Sequence, residues 1–132
     1  MGRIKVDDKE WPVVVIDFSG YRDKSDTDAL IETIKALGMR GRFGAIGLID
    51  DLDASAADRK YMVEQISDLQ IQYYICEAIV TDSMAKRGLF TAYSWIRGER
   101  PYKTKVFPTR EKATKWTQNE IAGERKQSQL VG

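Results

Sequence analysis

The sequence predicts a single-domain α/β sandwich built on a mixed, mainly parallel sheet of about five strands. Three observations carry that expectation. Short β-rich runs alternate with longer segments of helical periodicity in the order β-β-α-β-α-β-α-β-α. The first two strand-like runs are separated by a few polar residues only, the mark of an antiparallel hairpin. The chain has 132 residues, enough for one core without covalent staples, and no repeat, linker or low-complexity block divides it.

The elements follow in order. Ile4 to Val6 and Val13 to Phe18 flank the polar stretch "DDKE", and Pro12 marks the entry of the second strand, where a missing N–H does least harm. Leu30, Ile34 and Leu37 share one stripe of a first helix, with Ser25 or Asp26 as its N-cap and Gly38 and Gly41 at its end. Phe43 to Ile49 reads as the next strand. Beyond Ser55, the recurrence of Met62, Ile66, Leu69 and Tyr73 predicts a long amphipathic helix. "EAIVTDS" reads as a strand and "MAKRGLFTAYSWIRG" as a third helix capped by Ser83. Lys105 to Phe107 forms a short last strand, followed by a helix capped by Thr109. This places the domain at residues 1–123 and leaves 124–132 as a flexible tail without periodicity.

Composition excludes several classes of function. Lysine and arginine number 21 against 20 acids, a net charge of +1 that leaves no electrostatic footprint for nucleic acid. No apolar run approaches the about 20 residues of a membrane span, and the opening "MGRIKVDDKE" has neither the apolar core of a signal peptide nor a myristoylation pattern. A single cysteine, Cys76, excludes an internal disulfide, fits a reducing compartment and reads as core packing. The chain has no histidine, which removes histidine-activated nucleophiles and the usual zinc ligands. The expected protein is cytoplasmic, with no cofactor and no resident metal.

Chemistry in such a sheet belongs at the carboxyl ends of the strands. Here these ends carry Asp17 and Ser19 in "VIDFSG", Asp50, Asp51, Asp53 and Ser55 in "LIDDLDAS", and Thr81, Asp82 and Ser83 in "IVTDS". The candidate ligand edge is therefore Asp17, Ser19, Asp50, Asp51, Asp53 and Asp82. The same residue types are also the preferred turn and N-cap residues of the helices that follow. An alternative is enzymatic, because "LIDDLDAS" resembles the DxDx[T/S/V] signature of haloacid-dehalogenase-type phosphatases. That resemblance implies Asp51 as nucleophile and Asp53 as general acid and base, with magnesium between carboxylates. The companion acids of such a site reduce to Asp82, and a complete β-β-α unit precedes the motif. The third helix is apolar beyond one stripe, with Met84, Phe90, Tyr93 and Trp95 flanking its inward residues, which makes these four the candidate interface of a homodimer.

Taken in order, four stretches resemble the SpoIIAA-like, STAS-related proteins of bacteria. They are the hairpin with "WPVVVIDFSG", the strand "FGAIGLIDDLDAS" leading into a long helix, "CEAIVTDSMAKRGLFTAYSWI", and the closing "KVFPTREKATKW". The resemblance spans about Arg3 to Ile121. It implies helices layered on a sheet and a non-enzymatic role in regulation, through a regulatory protein partner or a small apolar ligand. In the anti-sigma-factor antagonists of that group a serine after the corresponding strand is phosphorylated by a partner kinase. The matching residue is Ser55, although "DASAAD" has one serine among alanines where the usual pattern has two serines and a glycine.

Overall fold

The computed structural model describes residues 3–50, 52, 55–88 and 99–131. Five strands form one sheet in the order β1-β2-β3-β4-β5. Strands β1 (Lys5–Glu10) and β2 (Val13–Asp17) run antiparallel, while β3 (Phe43–Leu48), β4 (Tyr74–Val80) and β5 (Lys103–Phe107) continue parallel to β2. Helix α1 (Lys24–Gly38) joins β2 to β3, and α2 (Ala56–Tyr73) joins β3 to β4. A third helix, α3, begins at residues 84–88, and α4 (Arg110–Val131) closes the chain. The mixed, mainly parallel sheet is the one the alternation of elements predicts.

Sequential neighbours joined by crossovers of one hand bring their connecting helices to one face of the sheet. Val14, Ile16, Phe43, Ala45 and Tyr74 point to that face and pack with Leu30, Ile34 and Leu37 of α1 and Met62 and Ile66 of α2. Their strand neighbours Val13, Val15, Ile46, Ala78 and Val80 point the other way, where Ala113 and Ile121 of α4 cover them together with Phe107. Period-two alternation would put Tyr74 and Ala78 on the same face. It does not, because the β3–β4 register passes from Phe43↔Tyr74 to Gly44↔Cys76 and leaves Ile75 as an extra residue. The bulge lets "YYICEAIV" supply both cores.

Helix α4 reaches the sheet where β3 has no side chain. A Cβ on Gly44 would lie 2.6 Å from Thr117 Cγ2, 3.1 Å from Ile121 Cδ1 and 3.2 Å from Cys76 Sγ. Thr117 is fully buried there.

Several boundaries differ from expectation, each for a physical reason. β1 extends to Glu10, so "DDKE" is strand and the turn is Trp11-Pro12, whose peptide bond is cis. The acids suit an edge strand because cations from outside the hairpin reach them: Arg40 pairs with Asp8 at 2.6 Å and Arg110 with Asp7 at 3.7 Å. β4 starts at Tyr74, directly after α2, because both tyrosines of "YYIC" serve the helix-covered core. α4 shows no stop at Gly123 and runs to Val131, in a segment of good helix formers where Glu124 ion-pairs with Arg42.

The N-cap of α1 is Asp23, in place of the expected Ser25 or Asp26. Asp26 instead completes a capping box from the first turn, and it is 1% exposed. Its carboxylate accepts hydrogen bonds from the backbone N–H groups of Arg22 (2.7 Å), Asp23 (3.1 Å) and Arg3 (3.0 Å). The Arg3 guanidinium adds bonds from Nε (3.1 Å) and Nη2 (3.0 Å). The N-terminal segment is thereby drawn across the β2–α1 turn so closely that a Cβ on Gly20 would stand 2.1 Å from the Arg3 carbonyl oxygen. Burial by itself would raise the Asp26 carboxyl, but Arg3 and the three N–H donors outweigh it and hold the group well below the usual carboxylate range.

Three outcomes are expected. Gly44→Ala forces its new methyl into Thr117 and should lower unfolding free energy by about 1–3 kcal/mol in urea titration. Gly123→Ala, on an exposed helical position with nothing within 4 Å of the added Cβ, should raise it by about 0.5–1 kcal/mol. For Asp26 the folded value lies below the unfolded one, so its contribution is complete above about pH 4 and is lost as pH falls through the folded value. Asp26→Asn should therefore cost about 2–3 kcal/mol at pH 7 and flatten the acid limb of a plot of urea midpoint against pH. An acid limb equal to that of the wild type would assign the loss to another carboxylate.

Candidate functional site at the carboxyl edge of the sheet

The parallel strands end side by side, and the polar residues after them meet in part. β3 is followed by Ile49 and Asp50, and β4 by Thr81, Asp82 and Ser83. Asp50 Oδ1 accepts from the Thr81 hydroxyl at 2.6 Å and from the Asp82 N–H at 3.1 Å. Thr81 is fully buried, its N–H donates to the Phe107 carbonyl at 3.0 Å, and its Oγ1 accepts from the Ser83 N–H at 3.2 Å. Ser83 then caps α3 as the sequence predicts, with Oγ accepting from the Lys86 N–H at 3.3 Å. The Lys86 ammonium turns back to donate to the carbonyls of Ile49, at 3.3 Å, and of Asp50. One carboxylate and one ammonium thus bind the β3 and β4 ends together. Each of these polar groups has a partner within the fold.

The other expected members stand apart. Asp17 Oδ1 accepts from the Ser19 N–H at 3.0 Å and caps a single 3-10 turn, Phe18–Gly20, with Ser19 exposed. Ser55 is exposed and caps α2, its Oγ accepting from the Asp58 N–H at 3.1 Å. Asp82 is exposed and contributes its backbone to the Asp50 contact. Met84, the one described member of the candidate dimer interface, is 80% exposed. Asp51, Asp53, Phe90, Tyr93 and Trp95 lie outside the described residues. Among the described residues no group of three or more Cys, Asp or Glu could hold a metal ion.

Sequence reasoning missed two features. Glu77 lies mid-strand in β4 at 8% exposure, accepting from Gln70 Nε2 of α2 at 3.4 Å and from Thr104 Oγ1 of β5 at 3.2 Å. An acid between Cys76 and the apolar "AIV" was the available signal. Lys86 was the other, three residues after a capping serine. Cys76 behaves as expected of a core residue: burial, with Glu120 adding to it, pushes its thiol up to about 12, far from a reactive thiolate. A shallow groove of about 420 Å³ lies at the opposite end of β2, lined by Glu10, Pro12, Val13, Gln118, Ile121, Ala122 and Arg125. It shares no residue with the carboxyl edge.

No family model and no curated protein matches the sequence. Among solved structures the chain is similar to an uncharacterised protein of the DUF3478 family with a SpoIIAA-like fold from Shewanella loihica PV-4. The two share 13% sequence identity with a TM-score of 0.68 over 86% of this chain and 91% of that one. The fold is SpoIIAA-like, in agreement with the resemblance carried by the four sequence stretches. Among the described residues no helix is long and apolar enough to cross a membrane.

Asp50→Ala would leave the buried Thr81 hydroxyl without its acceptor. A loss of about 1–3 kcal/mol is expected, together with faster hydrogen exchange at the Asp82 amide. Unchanged exchange there would show that the contact does not hold the two strand ends together.

Proposed function

We propose that this chain is a small non-enzymatic binding or regulatory domain that works as a homodimer through contact with a protein partner or a small ligand. One observation carries the reading. Among the described residues, the polar groups of Asp50, Thr81, Ser83 and Lys86 at the carboxyl edge, where turnover would require a free proton carrier or ligand set, are engaged with one another. Ser55 is the residue through which regulation would act. It is exposed at the first turn of α2, where a helix N-terminus attracts phosphate and the neighbouring Asp58 repels it. The dimer contact would use Met84 with Phe90, Tyr93 and Trp95.

Two measurements test this. Size-exclusion chromatography with light scattering should give twice the chain mass, and a monomer at high protein concentration would remove the homodimer. A magnesium-dependent assay on an aryl phosphate should show no turnover. Turnover that disappears in Asp51→Asn would replace the binding role by phosphoryl transfer through Asp51 and Asp53.

A further inference from the structure

We draw no further inference here: the strongest candidate, the shallow groove between the β1–β2 turn and α4 with Glu10 and Arg125 at its rim, is open to solvent, and nothing in the structure shows what covers it.

Discussion

Strand β3 must satisfy a helical layer on each of its faces, and Gly44 is where the two demands meet. On one side Phe43 and Ala45 enter the core beneath α1 and α2, and on the other Ile46 enters the core beneath α4. The strand can be pressed from both directions only if one of its residues gives up volume. Gly44 does so at the crossing point of α4, letting Thr117 and Ile121 sit where a side chain would stand. The bulge at Ile75 serves the same requirement from β4 by sending Tyr74 to one core and Cys76, Ala78 and Val80 toward the other. Close packing of this kind leaves little slack for volume changes.

Polar residues that enter this framework act as ties. Asp26 fastens the N-terminal segment to α1, Asp50 fastens the end of β3 to that of β4, and Glu77 spans α2 and β5. In each case a carboxylate gathers donors from segments far apart in sequence. Asp26 and Asp50 thereby fix a terminal segment and two strand ends, and Glu77 fixes the middle of β4 to its neighbours on either side.

The architecture was legible in the sequence because its signals are local: apolar runs with turn residues between them, and helical stripes such as Leu30, Ile34 and Leu37. The hairpin, the order of elements and the caps at Ser55 and Ser83 all follow from such patterns. Asp26 and Glu77 were not legible, because what makes them special is a partner more than twenty residues away in the cases of Arg3 and Thr104. The strand character of "DDKE" was hidden for the same reason, since the cations that accept it on an edge, Arg40 and Arg110, come from elsewhere in the chain. Of the residues singled out from the sequence, Asp17, Asp50 and Asp82 stand at or just beyond the ends of β2, β3 and β4. Their local pattern does not show that Asp50 turns toward Thr81 while Asp17 turns toward the Ser19 N–H.

The two strands that border the sheet are its most highly charged. β1 carries lysine at positions 5 and 9 among acids, and β5 opens with Lys103 and Lys105, both exposed. A further strand laid against either border would have to strip water from ammonium groups to reach the backbone behind them. Growth of the sheet from molecule to molecule, the route by which open sheets drift into fibres, is thus discouraged at both ends.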